Sequence, residues 1–431
     1  MVGIVLLGVF VVLLVFGAPI AVCLGMSSVG AILAQGAGKP LDAIMSVLPR
    51  LCSSASSKFV LLAIPFFILS GNVMEKAGIS GRLINLAEKC LGHIRGGMAM
   101  VCVVVSCFFA AISGSGPATV AALGLIMIPA LVKAGYPAAF SCALMAAGGA
   151  IGVVIPPSIT FVVYGSIADA SITDLFKAGV IPGLLMGAGL IVAALVVGRK
   201  MDLKVLPKAT GKERWIAFKD AFWGLLMPVI ILGGIYGSIF TPTEASAVAV
   251  VYSLIISLFV YKDMSFKELP QVFVEGAVST ATIMVMVGLS SASSYVITTS
   301  GLPQQLVSFF SSITNSPVVI LLLLNILFLI IGMLMEANAA VVMMTPILLP
   351  LLNAFGIDPL QFGIVMSFNL CIGLVTPPVG LCLLLCNQTG ETRLSHSLKA
   401  MMPMLLISII VLFLITYVSP LTTLLPSIMA G

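Results

Sequence analysis

The sequence predicts an all-α polytopic membrane protein with an inverted structural repeat, in which each half holds a re-entrant helical hairpin and a broken helix. Three observations predict this fold: the composition, a duplicated pattern of prolines and glycines, and the distribution of basic residues. Hydrophobic residues make up 60% of the 431 positions, charged residues 8%, and the mean hydropathy is +1.24. A chain this apolar is not a soluble globular domain. The net charge of +5 comes from lysines and arginines in loops, so no nucleic-acid partner is expected.

The second observation is a repeat with an offset of about 221 residues. Helix-disrupting residues recur in one register across the two halves. Nearer the start of each half the offset is about 223. A duplicated membrane protein with a broken helix in each half usually binds a solute at mid-membrane and moves it. The matched positions are Ile151-Gly152-x-x-x-Pro156-Pro157 with Ile372-Gly373-x-x-x-Pro377-Pro378, Pro129 with Pro350, Gly135 with Gly356, Pro182 with Pro403, Pro19 with Pro242, and Gly78 with Gly301.

Apolar runs long enough to cross a bilayer predict ten full spans. The first run has no basic leader, which indicates a first span rather than a cleaved signal peptide. Two further apolar pairs, 97–132 and 318–352, are interrupted by a polar or small-residue tip and predict hairpins that enter the membrane and return. The spans lie near residues 3–18, 20–38, 59–76, 138–168, 178–198, 222–240, 243–261, 270–298, 360–389 and 402–425.

These elements divide the chain into a first repeat (1–198), a basic cytoplasmic linker (199–221) and a second repeat (222–431). Five spans per half, an odd number, place the two halves in opposite orientations, with the hairpin 97–132 opening inward and the hairpin 318–352 opening outward.

The third observation tests this topology independently. When the linker is placed on the cytoplasmic side, successive loops alternate between the two sides of the membrane. Sixteen of the 20 basic residues then lie on the cytoplasmic side and both termini lie outside, which is a strong positive-inside bias. The inside residues are Lys76, Arg82, Lys89, Arg95, Lys133, Arg199, Lys200, Lys204, Lys208, Lys212, Arg214, Lys219, Lys262, Lys267, Arg393 and Lys399, and the outside residues are Lys39, Arg50, Lys58 and Lys177.

Each hairpin follows an amphipathic segment, Glu75–Arg95 in the first half and Ser300–Pro317 in the second. Such segments either lie flat at the interface as arms that hold the hairpin, or are ordinary polar loops. The nine cysteines lie singly in apolar stretches without a C-x-x-C pair. Cys382 and Cys386, one helical turn apart, are therefore expected to pack in the core rather than to bind a metal.

The first hairpin tip, Ser113-Gly114-Ser115-Gly116-Pro117-Ala118-Thr119, combines hydroxyls with residues that interrupt a helix. An unwound tip exposes carbonyl and hydroxyl oxygens, which suit a hard cation such as sodium. In the first broken helix the double proline frees carbonyls near Gly152 and Val153. The alternative is that these residues only kink the helix and permit close packing, as Gly148-x-x-x-Gly152 would.

The second tip, Gly332–Ala339, has different chemistry. Glu336 occupies the position of Ser115, and Asn338 that of Pro117. An acidic residue within the membrane is expected to face a polar cavity or a cation. The second break adds the Asn369 amide and the Thr376 hydroxyl. Glu244, by contrast, begins a span, where it is expected to cap the helix; the alternative is a role in transport.

These residues resemble a known family. GSGPATVAALGLIMIP with GVVIPPSITFVVYG, and MLMEANAAVVMMTPILLP with GLVTPPVGLCLLLC, look like the motifs of the large membrane (M) subunit of tripartite ATP-independent periplasmic (TRAP) transporters. The resemblance implies a fold like that of the ion-transporter superfamily and a sodium-driven, elevator-type importer of organic acids in the bacterial inner membrane. It also implies two partners, a soluble periplasmic binding protein that delivers the substrate and a small four-helix membrane subunit. Sialic-acid and four-carbon dicarboxylate carriers share these motifs.

Carried over by position, the resemblance implies at least two sodium sites and a substrate site between the tips. An anionic substrate needs positive helix ends or bound cations, because this core has no lysine or arginine. The first sodium site would contain Ser113, Ser115, Gly149, Gly152 and Pro156, and the second Gly332, Glu336, Gly373 and Thr376. The substrate residues would be Thr119, Ser158, Asn338, Ser290 and Ser294.

Three other functions compete with this interpretation: an ion channel, a sodium/anion symporter outside the TRAP family, and an intramembrane enzyme. A channel also uses broken helices and hairpins, but an inverted repeat with two unlike ion sites favours alternating access. An enzyme would need a catalytic group, and the sequence shows no paired intramembrane aspartates and no Ser/His couple. No enzymatic activity is therefore expected.

Overall fold

The computed structural model describes residues 2–36, 40, 42, 45–199 and 201–429, and this part of the chain is helical without a β-strand. Lys39 and Lys200, which entered the predicted charge distribution, lie outside the described residues. The helices of the first half are α1 (Val2–Val15), α2 (Ile20–Gln35), α3 (Val47–Ser56), α4 (Ala63–Lys76), α5 (Ile79–Leu91), α6 (Gly97–Ser113), α7 (Gly116–Lys133), α8 (Ala138–Ala150), α9 (Ile159–Ala168) and α10 (Ile172–Gly198).

The second half repeats this order with two differences. A short helix at its end, Pro420–Ile428, has no counterpart in the first half. A single helix of 31 residues, α13, stands where the first half has α3 and α4. The helices are α11 (Gly211–Tyr236), α12 (Pro242–Ile255, extended by a π-helical turn Ile256–Tyr261), α13 (Leu269–Thr299), α14 (Leu302–Ile313), α15 (Pro317–Leu334), α16 (Ala337–Ala354), α17 (Pro359–Gly373), α18 (Leu381–Thr389), α19 (Leu394–Tyr417) and α20 (Pro420–Ile428).

Nine helices of the described chain are long and apolar enough to cross a membrane. Three of these, α7, α15 and α16, are hairpin helices. Each of the two predicted broken helices instead falls into two shorter pieces, α8 with α9 and α17 with α18. The all-helical membrane fold is therefore confirmed.

The backbone conformation agrees with the predicted register of the repeat. Gly78 and Gly301, each just before an amphipathic helix, have φ angles of 62° and 70°. Gly135 and Gly356, in the turn after each hairpin, also have positive φ angles, of 100° and 64°. At all four positions glycine is favoured, because a side chain adds strain in this left-handed conformation.

The two halves also meet at equivalent positions. The thiol of Cys371 in α17 donates to the carbonyl of Ala150 in α8 at 3.0 Å, and these residues are 221 positions apart. A residue contacts its own counterpart only near an axis that relates the two copies. This contact supports a pseudo-twofold arrangement of the halves around the two breaks.

The helices pack in two groups. One, which we call the hairpin group, comprises both hairpins, both broken helices and the long helices α10 and α19. The other, the scaffold group, comprises α1 to α4 and α11 to α13. The two groups meet, among other places, where α4 packs on α6, the first helix of the first hairpin, and where α13 packs on α16, the second helix of the second hairpin.

The two amphipathic segments form the helices α5 and α14, so they are not ordinary polar loops. The first packs on α6 and on α11, and the second packs on α16 and on α13. Each therefore connects a hairpin to the scaffold group, as the arm interpretation expects.

Arg82 on α5 joins three predicted cytoplasmic segments. Its guanidinium pairs with Asp220 on α11 at 3.2 Å and with Asp263 at 2.6 Å, and it lies 4.0 Å from the ring centroid of Tyr261. Burial opposes this charge, but the Asp263 and Asp220 carboxylates outweigh burial, and the pKa of Arg82 is raised. We call this set the Arg82 clasp. It holds residues from the arm, from α11 and from the loop 262–268 at one end of the molecule, as the charge distribution predicts.

The predicted linker 199–221 is partly helical. Residues 211–221 are the first turns of α11, whereas the sequence analysis began this span at 222. Thr210 and Glu213 form a capping box, in which each side chain bonds to the backbone N–H of the other residue. This signal starts a helix before the apolar run begins. Thr241 and Glu244 form the same motif at the start of α12, so the predicted capping role of Glu244 is confirmed.

Candidate functional site

Hydroxyl and carbonyl groups cluster in the turn of the first hairpin. The helix α6 ends at Ser113, and Gly114 follows with a φ of 61°. The Ser113 and Thr119 hydroxyls lie 2.8 Å apart, and the Thr119 hydroxyl donates to the Ser115 carbonyl at 2.8 Å. The turn therefore gathers three oxygen atoms between the C-terminus of one helix and the N-terminus of the next.

The first broken helix packs closely against this turn at two glycines. A Cβ atom added to Gly152 would lie 2.8 Å from the Ser115 carbonyl oxygen, and one added to Gly149 would collide with the Val120 side chain. After the cis Pro156-Pro157 bond, the amide of Ile159 donates to the Gly114 carbonyl at 3.2 Å. The structure thus brings Ser113, Ser115, Gly149 and Gly152 together, with Pro156 in the break beside them.

The second hairpin turns at Met335, and Glu336 caps α16. One carboxylate oxygen accepts from the Asn338 amide at 2.8 Å and the other from the Ala339 N–H at 3.1 Å. Among the described residues no lysine or arginine forms an ion pair with this partly buried carboxylate. Backbone and amide dipoles stabilise its charge, and a bound cation would add to them.

The second break lies still closer to its hairpin. A Cβ atom on Gly373 would collide with the backbone of Gly332, so glycine is required at this crossing. The Thr376 hydroxyl donates to the Ile372 carbonyl at 2.7 Å, which leaves its lone pairs free to accept or to coordinate. Asn369, one turn earlier, has a buried side-chain oxygen without a hydrogen-bond partner in the described structure.

The donors available at both breaks are oxygen atoms, which is the ligand set that hard cations require. The two sites also differ as predicted: the first offers hydroxyls and a carbonyl, whereas the second adds the carboxylate of Glu336. The residues present therefore fit two unlike sodium sites.

A hydrogen bond connects the two halves between these sites. Thr160 in α9 donates to the side-chain oxygen of Asn338 at 3.1 Å, while the Asn338 amide donates to Glu336. Both Thr160 and Asn338 are buried. Asn338 therefore has a fixed orientation and links the second tip to the first broken helix.

Both tips face a cavity of about 130 Å³ between the two helix groups. Ser113, Ser115 and Asn338 line it from the hairpin group. The scaffold group contributes Asn72 and Glu75 from α4 and Ser279 from α13. These three residues were not among the predicted site residues. Their polarity inside predicted spans was a signal, but it does not show which helix they face.

The structure separates the predicted substrate residues. Asn338 lines the cavity between the tips, but Ser290 and Ser294 line another cavity of about 210 Å³ farther along α13. Thr119 and Ser158 line neither cavity, because both are buried and their hydroxyls bond to the Ser115 and Val153 carbonyls. Their position shows an architectural role, since Thr119 closes the first tip and Ser158 caps α9.

The fold and the paired tips define a multi-pass helical membrane transporter. The family model described as "Tripartite ATP-independent periplasmic transporter, DctM component" matches residues 7–421. The chain belongs to this family, whose members are transporter permeases and not enzymes.

Related proteins with stated substrates cover most of the chain. The C4-dicarboxylate TRAP transporter large permease protein DctM of Pseudomonas aeruginosa is 42% identical over 90% of both chains. The isethionate TRAP transporter permease protein DctMQ of Oleidesulfovibrio alaskensis is 42% identical over 96% of this chain, which spans 65% of that longer protein. The 2,3-diketo-L-gulonate large permease YiaN of Escherichia coli is 35% identical over 86% of this chain and 87% of its own.

Two solved structures share the fold. The Alcanivorax borkumensis YdaH transporter superposes with a TM-score of 0.61 at 16% identity, over 96% of this chain and 100% of its own. Neisseria gonorrhoeae MtrF gives the same TM-score, 0.61, at 14% identity over 94% of each chain. At this identity the likeness concerns architecture alone.

Proposed function

We propose that this chain is the permease of a sodium-coupled importer of a small organic acid anion in the bacterial inner membrane. The observation that carries the proposal is the pair of repeat-related hairpin tips that face one cavity, each beside a glycine-lined break with oxygen donors. Bound sodium supplies positive charge near the cavity, where the lining residues include no lysine or arginine.

The substrate class follows from the named relatives, which transport C4-dicarboxylates, isethionate or 2,3-diketo-L-gulonate. All three are small acid anions. We therefore place a four-carbon dicarboxylate first. Sialic acid, the other class that the sequence motifs allow, is not among the substrates of these relatives.

The partners follow from the tripartite family. A periplasmic binding protein delivers the substrate, and a small membrane subunit completes the permease. The longer DctMQ relative, of which this chain spans 65%, is consistent with a second membrane component that is fused in some members. The termini of this chain would lie on the periplasmic side.

An elevator mechanism suits the two helix groups. The cavity at the tips touches α13 near Ser279, and the second cavity touches the same helix near Ser290. At a rise of 1.5 Å per residue these positions are about 16 Å apart. Movement of the hairpin group along α13 by roughly this distance would carry the tips from one polar patch to the other, and so from one side of the membrane to the other.

The test is uptake of labelled succinate into proteoliposomes that contain this chain, the small subunit and the binding protein. With sodium outside we expect accumulation that collapses when the gradient is dissipated. Equal uptake in sodium-free buffer would exclude coupling to sodium. A sodium-independent current through the purified complex would instead favour a channel.

A further inference from the structure

Lys58 lies between two cavities on the predicted periplasmic side. It lines the cavity of about 210 Å³ that contains Ser290 and Ser294, and also a wider cavity of about 600 Å³ that includes Asp169 and Thr241. Lys58 occurs in the interruption between α3 and α4, at the point where the second half has a continuous helix. The interruption brings a cation to the boundary between the scaffold group and the hairpin group.

The ammonium group of Lys58 is only partly used by the protein. It donates to the Ser166 carbonyl at 2.5 Å, in the last turn of α9, where a cation also complements the helix dipole. An ammonium group has three protons, so two remain for other acceptors. Within the described part of the chain, no carboxylate lies within ion-pair distance of Lys58. Asp169 lines the wider cavity without pairing with it.

Hydroxyl groups surround this cation. Ser54 and Ser294 line the same cavity, and neither hydroxyl makes a hydrogen bond to another described residue. Ser290 and Ser291 donate to carbonyls of their own helix, at 2.8 and 2.6 Å, and reorient at small cost. An ammonium group with two protons still available, in the same cavity as two free hydroxyls, is a suitable receptor for a carboxylate.

The cavity at the tips has the opposite charge. Glu75 lines it from α4, and its lining residues include no lysine or arginine. By the predicted topology, Lys58 is periplasmic and Glu75 lies toward the cytoplasm. An anion is therefore attracted at the Lys58 end of the α13 face, whereas Glu75 of the scaffold group opposes its retention at the end where the tips lie in this structure.

We propose that Lys58, Ser54 and Ser294 form a receiving site for an acid group of the substrate, at the opposite end of the α13 face from the cavity at the tips. The substrate anion binds there when it leaves the binding protein and passes to the tips when the hairpin group moves toward this end. The direction of transport in this proposal rests on the proposed function, whereas the binding of an acid anion at Lys58 does not.

The first test is the kinetics of succinate uptake by the reconstituted complex. For Lys58→Gln we expect KM to rise by about 10- to 100-fold, the factor that follows from the loss of a hydrogen bond to a charged group, with little change in kcat. Lys58→Arg is expected to recover most of the loss. Arg50→Gln is the matched control, because Arg50 is an exposed cation on α3 with the same predicted side and lines neither cavity. An equal effect of Arg50→Gln, or an unchanged KM in Lys58→Gln, would overturn the proposal.

The second test does not depend on transport. In Lys58→Cys the new thiol is labelled with a methanethiosulfonate reagent, and succinate is expected to slow this labelling at least threefold, while glycerol does not. Arg50→Cys provides the unprotected control, and the wild-type chain provides the background from native cysteines.

Labelling of Lys58→Cys with the cationic aminoethyl reagent is expected to lower KM again, whereas labelling with the anionic sulfonatoethyl reagent is not expected to lower it. Protection of Lys58→Cys by succinate, together with absence of succinate uptake by the wild-type complex, would contradict the proposed function and leave the site standing. Uptake without protection would contradict the site alone.

Discussion

At the scale of single residues, glycine and oxygen atoms define the two candidate cation sites. Gly152, just after α8, brings the first break against the Ser115 carbonyl, and Gly373, at the end of α17, brings the second break against the backbone of Gly332. These contacts are backbone to backbone, so no flexible side chain can move aside. The sequence repeat predicted both glycines, because the local signal of a double proline marks the break that follows each of them.

We therefore expect Gly152→Ala to disturb the first sodium site. The added Cβ would lie 2.8 Å from the Ser115 oxygen, so the tip must shift. Overpacking of this kind costs about 1–3 kcal/mol, which corresponds to a rise of about 5- to 160-fold in the sodium concentration for half-maximal uptake. Titration of succinate uptake with sodium measures this half-maximal concentration.

Gly124→Ala in α7 is the matched control for this variant. A Cβ there would meet only the end of Ile128 at 3.7 Å, an ordinary contact, so sodium dependence is expected to stay unchanged. If Gly152→Ala keeps the wild-type sodium dependence, the first site lies elsewhere.

At the scale of elements, the two arm helices α5 and α14 and the first turns of α11 connect the hairpins to the scaffold group. The amphipathic pattern predicted α5 and α14, but α3 was missed because its polar and small residues give a weak apolar run. The first turns of α11 were assigned to a linker because they are charged. The Arg82 clasp shows the function of that charge, which is to tie α11 to the arm.

We expect Arg82→Gln to destabilise the protein by about 1–2 kcal/mol, because it leaves Asp220 and Asp263 without their shared cation. Lys89→Gln serves as the control. The Lys89–Glu213 pair is longer, at 3.7 Å, and exposed, so its loss is expected to cost less than the loss of the Arg82 clasp. Thermal unfolding in detergent at low and high salt measures the loss of stability in both variants. Equal effects of the two variants would show that the clasp is an ordinary surface pair.

At the scale of the whole molecule, the tips lie at one polar patch of α13 and Lys58 lies at the other. Ala118 in the first hairpin and Ser279 in α13 line the same cavity. We expect the double variant Ala118→Cys/Ser279→Cys to be cross-linked in the state described here. The cross-link would stop uptake, and reduction would restore it.

The partner experiment uses Ala118→Cys with Ser290→Cys. These positions line different cavities in this structure, and they are expected to be cross-linked only after the hairpin group has moved along α13 by about 16 Å. Sodium and succinate are expected to change the ratio of the two products. If the second pair never forms under turnover conditions, the elevator proposal is wrong.

The sequence by itself determined the membrane class, the register of the repeat and the chemistry of the two tips. These properties are local, since hydropathy, helix-breaking residues and the order of polar atoms act within a few turns of chain. Only the tertiary structure decided which polar residues share a cavity. It separated Ser290 and Ser294 from the tips, placed Thr119 and Ser158 inside the hairpin group, and brought Asn72, Glu75 and Ser279 to the cavity. Contacts between the helix groups depend on packing across distant parts of the chain, and no local pattern encodes them.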